Sequence, residues 1–152
     1  MIPFFKGCQG GLQHTLLSRE EEKRLQIGLL EDNPSLVEWL TTTLEMAGHD
    51  VHVYRDGPSL LARLFATDST PPALPFDLLL VDLFLPGEMT GWDVINCVRT
   101  AIPPEKLPII VVSGASLSQL DQVQASHPDI PVLQKPYQVR RLLWWIKILT
   151  SE

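Results

Sequence analysis

Five short, largely apolar runs constrain this chain more than any other feature of its sequence. QIGLLED (26–32), VHVY (51–54), FDLLLVD (76–82), LPIIVVSG (107–114) and IPVLQ (130–134) each read as a strand. Each is followed by a helical pattern: PSLVEWLTTTLEMAGHD (34–50), GPSLLARLFA (57–66), GWDVINCVRTA (91–101), SLSQLDQVQASH (116–127) and YQVRRLLWWIKIL (137–149). Strands that lack a polar face need cover on both sides, and the intervening helices supply it. The expected architecture is therefore α/β: a doubly wound five-stranded parallel sheet with helices on both faces.

Punctuation in the sequence supports these limits. Pro34 suits a first helical turn; Leu36, Val37, Leu40 and Leu44 share one face of that helix, and Gly48 ends it. TDSTPPALP (67–75) has three prolines and no periodicity, so it reads as a loop longer than such units usually need. Residues 1–25 are broken by Gly7, Gly10 and Gly11, with a short helical turn expected over 18–24, capped by Ser18 with Glu21 three residues on. They are read as an N-terminal extension, flexible in part, to a single domain at 26–150.

Several function classes are disfavoured. The 152 residues carry a net charge of −6, which does not suit direct contact with nucleic acid. No stretch approaches the roughly 20 apolar residues that cross a bilayer, and the N-terminus lacks the pattern of a secretory signal. A cytoplasmic protein is expected. Cys8 and Cys97 fit neither a disulfide framework nor a zinc site, and the pattern around Cys97 suggests a core position.

The polar residues that remain gather where such a fold binds ligands, beyond the carboxyl ends of the strands. Glu31 and Asp32 end the first run, Asp82 ends the third, Ser113 the fourth, and Lys135 follows the fifth. Crowded carboxylates repel, and a divalent cation relieves that repulsion; magnesium takes such oxygen donors together with phosphate oxygens. Asp82, at the end of the central strand, is placed to attack phosphorus as a nucleophile. Lys135 would face the phosphoryl oxygens, with the Ser113 hydroxyl as a further donor.

These motifs resemble the receiver domain of bacterial two-component response regulators, of which the chemotaxis regulator is the simplest. The residues that carry the resemblance are the acidic pair in GLLEDNP, Asp82 in VDLFLPGEMTG, Ser113 in VVSGA and Lys135 in QKPY, at the family's spacing. The resemblance implies a flavodoxin-like sheet in the order 2-1-3-4-5. It also implies Mg2+ on Glu31, Asp32, Asp82 and the backbone carbonyl of Phe84. Phosphate would come from a phosphohistidine on a sensor histidine kinase or a histidine phosphotransfer protein. Ser113 would then move towards the phosphoryl group, and the surface around the fourth helix, fifth strand and fifth helix would rearrange.

Two positions depart from the pattern. Val132 stands where the family usually carries the aromatic residue of the switch, with Tyr137 nearby as a substitute. Phe84 occupies a position that influences phosphoryl lifetime. In the last helix, Val139, Leu142, Leu143, Ile146 and Leu149 make the expected core face. Trp144, Trp145 and Ile148 are left either to cover the extra loop and the N-terminal segment or to form an apolar patch for an output protein or a second copy.

The expected function is a stand-alone receiver that signals through protein contacts, its only chemistry being its own phosphorylation and dephosphorylation. The alternative is a docking module that works without phosphorylation. A phosphatase with Asp82 as nucleophile would want a second acid two residues on, where Phe84 stands, and no Gly-rich loop supports a dinucleotide enzyme.

Overall fold

The computed structural model describes residues 23–66 and 73–151. Residues 1–22, with most of the turn expected at 18–24, and residues 67–72 of the Pro-rich loop lie outside the described residues; Lys23 and Arg24, the end of that turn, are not helical. Five strands, β1 (Gln26–Leu30), β2 (Asp50–Tyr54), β3 (Leu78–Val81), β4 (Ile109–Ser113) and β5 (Val132–Gln134), form one sheet ordered β2-β1-β3-β4-β5. All four pairings are parallel, as the unbroken apolar runs require. The helices are α1 (Pro34–Met46), α2 (Gly57–Phe65), α3 (Gly91–Ala101), α4 (Leu117–Ser126) and α5 (Val139–Thr150).

The sheet divides the core into two layers. Leu78 and Leu80 of β3, with Ile110 and Val112 of β4, face a layer built from Leu40 and Leu44 of α1 and Leu142 and Ile146 of α5. Leu79, Val81, Ile109 and Val111 point the other way, into the layer shared by α2, α3 and α4. Successive strand residues therefore serve opposite layers, and both must be apolar.

Local chemistry sets the helix ends. Asn33 caps α1 by accepting hydrogen bonds from the N–H groups of Ser35 (3.0 Å) and Leu36 (3.3 Å), with Pro34 in the first turn. The same helix stops at Met46, earlier than its sequence pattern suggests. Gly48, at φ +97°, donates to the Glu45 carbonyl, and His49 donates to that of Leu44. This left-handed glycine closure satisfies carbonyls that the helix leaves open. β2 starts one residue before its apolar run, but the other four strands are shorter than theirs, so Glu31, Asp32 and Asp82 lie just past the strand ends.

Two expectations for helix faces are corrected. Cys97 is exposed, not part of the core. It lies on the α3 face shared with the exposed Asp93, Thr100 and Ala101, while Val94, Ile95 and Val98 are buried. On α5, Trp145 is half-buried against the core layer beneath Leu142 and Ile146, so it does have a place to go. Trp144 and Ile148 remain 54% and 49% exposed.

Candidate functional site

Strand register assembles the site. β1 and β3 pair with Leu30 opposite Val81, so the next residues, Glu31 and Asp82, come out side by side. The Asp82 N–H donates to the Leu30 carbonyl at 3.0 Å, and the Glu31 N–H to the Tyr54 carbonyl at 3.0 Å, which carries the ladder one step past the strand ends. On the other side, β4 and β5 pair Ser113 with Gln134, and the Lys135 N–H donates to the Ser113 carbonyl at 2.8 Å. Lys135 is thereby held two strands away from Asp82, with a side chain long enough to cross back. The Lys135–Pro136 peptide bond is cis.

The lysine joins both acids. Its Nζ donates to Glu31 Oε1 at 2.7 Å and to Asp82 Oδ2 at 3.1 Å. The remaining oxygens take backbone donors: Glu31 Oε2 accepts from the N–H groups of Asp32 and Asn33, and Asp82 Oδ1 from that of Phe84. Glu31 and Asp82 are buried, at 1% and 5% exposed, whereas Asp32 is half-buried. One carboxylate oxygen from each of the three acids lies within 4.8 Å of those from the others. A set of oxygen donors this compact fits a small hard cation.

Charge in this site is unevenly tolerated. Burial is the main force raising the Glu31 carboxyl above its ordinary pKa, and the neighbouring Asp82 charge adds to it, against the opposing pull of Lys135. Burial also works against the Lys135 ammonium, but hydrogen bonds and attraction from Glu31 and Asp82 outweigh it and raise that pKa. The lysine is thus held in its charged form, and burial makes the Glu31 carboxylate costly to leave ionised without a cation beside it.

The structure brings Glu31, Asp32, Asp82 and Lys135 together. Ser113 is fully buried at the end of β4, where its Oγ accepts from the Ala115 N–H at 3.2 Å, and it touches none of the acids by hydrogen bond. Val132 is half-buried and packs against the α2–α4 layer. The Phe84 side chain is exposed.

Two residues went unnoticed in the sequence or were given too small a part. Gly91 starts α3 where a Cβ would lie 2.0 Å from the Asp82 carbonyl oxygen, and its N–H donates to the Leu83 carbonyl. Only glycine permits this approach. The legible signal was TGWD, a capping box in which Thr90 and Asp93 each accept the other's backbone N–H. Tyr137 is the second: its hydroxyl is buried and has no hydrogen-bond partner among the described residues.

Comparison with known proteins agrees with this geometry. The family model of the response regulator receiver domain matches residues 27–147. The transcriptional regulatory protein HprR of Escherichia coli is 32% identical over 120 residues, which cover 78% of this chain and 48% of HprR. The response regulator receiver protein CpdR of Brucella abortus is 32% identical over 118 residues, covering 78% of this chain and 90% of CpdR. The chain therefore spans about half the length of some relatives and nearly all of others. Among solved structures, the response regulator TrrA of Thermotoga maritima superposes with a TM-score of 0.66 at 22% identity, over 82% of this chain and 97% of TrrA, and shares its fold. A sheet ordered β2-β1-β3-β4-β5, an acidic cluster at its carboxyl edge and a matching family model over most of the sequence lead to one assignment: this chain belongs to the response regulator receiver domain family.

Proposed function

We propose that Asp82 accepts a phosphoryl group from a phosphohistidine of a sensor kinase or phosphotransfer protein, and that the phosphorylated chain signals through protein contacts. The observation that carries this reading is the three-carboxylate cluster whose two buried members share one lysine. In the transfer, an Asp82 carboxylate oxygen attacks phosphorus. An O–P bond forms, the N–P bond of the donor breaks, and the imidazole leaves with the electron pair and takes up a proton. Lys135, held in its charged form, turns from the carboxylates to the phosphoryl oxygens. The Ser113 hydroxyl is a further donor once it gives up its contact with the Ala115 N–H.

Glu31, Asp32, Asp82 and the Phe84 carbonyl would hold Mg2+. When bound, the ion neutralises charge on the phosphoryl oxygens. TrrA has been crystallised in complex with Mg(2+)-BeF, which supports magnesium binding here. Two-component receivers exchange phosphate with histidine kinases or phosphotransfer proteins, and this chain is read in that place. The intact acids and lysine speak against a docking module that dispenses with phosphorylation.

The test is intact-protein mass after incubation with acetyl phosphate and Mg2+. One added phosphoryl group is expected in the wild type and none in Asp82→Asn or without the ion. Labelling retained in Asp82→Asn would move the acceptor elsewhere.

A further inference from the structure

α1 and α5 cover the same sheet face, and both return from the carboxyl edge of a parallel sheet, so they run in one direction. Trp39 of α1 meets Tyr137, just ahead of α5, edge-on with centroids 6.2 Å apart, so the outer surfaces of the two helices are continuous. Their outward stripes are built alike. On α1, Glu38, Trp39, Thr42, Glu45 and Met46 are exposed. On α5 the same spacing recurs in Arg140, Arg141, Trp144, Lys147 and Ile148, all exposed. In each helix these positions lie opposite the buried pair, Leu40 and Leu44 in α1 and Leu142 and Ile146 in α5.

The two stripes differ in sign. That of α1 carries Glu38 and Glu45 and no cation, whereas that of α5 carries Arg140, Arg141 and Lys147 and no acid. On each helix two charges, Glu38 with Glu45 and Arg140 with Lys147, stand seven residues apart, about 10.5 Å along the axis. None of these five side chains takes an ion pair among the described residues, where the pairs join Arg24 to Asp50, Arg99 to Asp129, and Lys135 to Glu31 and Asp82. Trp39, Met46, Trp144 and Ile148 stand open to water beside the charges. Exposed apolar side chains edged by charge have the make-up of a protein contact.

We propose that a second copy of this chain covers this face, with α1 of each copy lying on α5 of the other. Opposite charge at equal spacing selects that occupant, because each copy carries both halves of the match. A two-fold axis parallel to the helices makes the contact twice, each acidic stripe running along a basic one in the same direction. An axis across the helices would set α5 on α5 and crowd the cations of both copies, which repulsion opposes. Two helix faces per copy make a contact at the small end of specific interfaces, below about 1,200 Å² in total. The dimer is therefore weak, sensitive to salt and absent at low-micromolar concentration. It does not rest on the phosphoacceptor reading of Asp82.

The experiment is sedimentation of the full chain from low-micromolar to millimolar concentration, with two charge-reversed variants. The wild-type mass should climb from monomer towards dimer, and climb less in high salt. Glu38→Lys/Glu45→Lys has cations on both helices, and Arg140→Glu/Arg141→Glu/Lys147→Glu has acids on both. Each alone should associate at least about tenfold more weakly than the wild type, since like charges then meet. Mixed in equal amounts, the two should regain wild-type association, because each supplies the sign the other lacks. All five positions are exposed, so both variants should melt within about 2 °C of the wild type at low concentration. Should either melt lower, Glu45→Lys and Lys147→Glu, alone and mixed, carry the same test. A wild type that stays monomeric, variants that associate as it does, or a mixture of folded variants that stays monomeric each overturns the proposal. A monomeric wild type whose tryptophan emission shifts on vesicles of anionic lipid would give the basic stripe to a membrane surface instead.

Discussion

Lys135 is the residue on which the resting site depends. Glu31 and Asp82 are buried side by side, and this one ammonium, itself 20% exposed at the side chain, bridges them. Removing one partner of a buried ion pair leaves charge without compensation. Lys135→Met, measured without divalent ions, should therefore lose about 2–4 kcal/mol of stability in denaturant unfolding. The same variant should gain more from Mg2+ than the wild type, because the cation no longer competes with an ammonium for the same oxygens. A magnesium titration followed by melting temperature reads both effects. Equal magnesium shifts in the two proteins would separate the lysine from the metal site.

Among the elements, the junction between β3 and α3 has the least room for change. After Asp82 the chain must turn, expose Phe84 and start α3 against the strand it has just left. The Thr90–Asp93 box sets the helix start, and Gly91 lets the helix approach the Asp82 carbonyl. Gly57, which starts α2, faces Met89 and Val94 at similarly short range, so α2 packs on the same junction. Gly91→Ala should cost about 3 kcal/mol, since the added methyl meets backbone and not a flexible side-chain end. Because the shift falls on Asp82 itself, phosphoryl labelling should drop together with stability. An alanine variant as stable as the wild type would show that the junction can relax.

For the molecule as a whole, core and solvent make opposite demands on the two sides of α5. Leu142 and Ile146 close the layer beneath α1, while Trp144 lies outward, stacked edge-on against Trp145 with centroids 4.9 Å apart. Leu142→Ala should cost about 3 kcal/mol through the cavity it leaves, and Trp144→Ala less than about 0.5 kcal/mol. Urea unfolding of the two variants checks the contrast. A large loss in Trp144→Ala would mean that its ring is covered in solution.

The class of fold was legible because it depends on local periodicity: apolar runs too short for helices, separated by helical patterns, admit little besides a parallel sheet under helical cover. The candidate residues were legible for a related reason, since polar groups that end apolar strands collect at one edge of such a sheet. Periodicity was less decisive around each helix. Cys97 and Trp145 lie near the border of an apolar stripe, and only the packing of α3 and α5 against the sheet set which side they took. What no local pattern contains is register. Glu31 meets Asp82 because Leu30 pairs with Val81, and Lys135 reaches both because Ser113 pairs with Gln134. The unpaired Tyr137 hydroxyl and the close approach that demands Gly91 are likewise set by packing that no apolar pattern contains. Sequence alone determined which groups could form the site; contacts between distant segments determined how far apart they stand and which of them lack a partner, because those distances depend on how the strands align across the sheet.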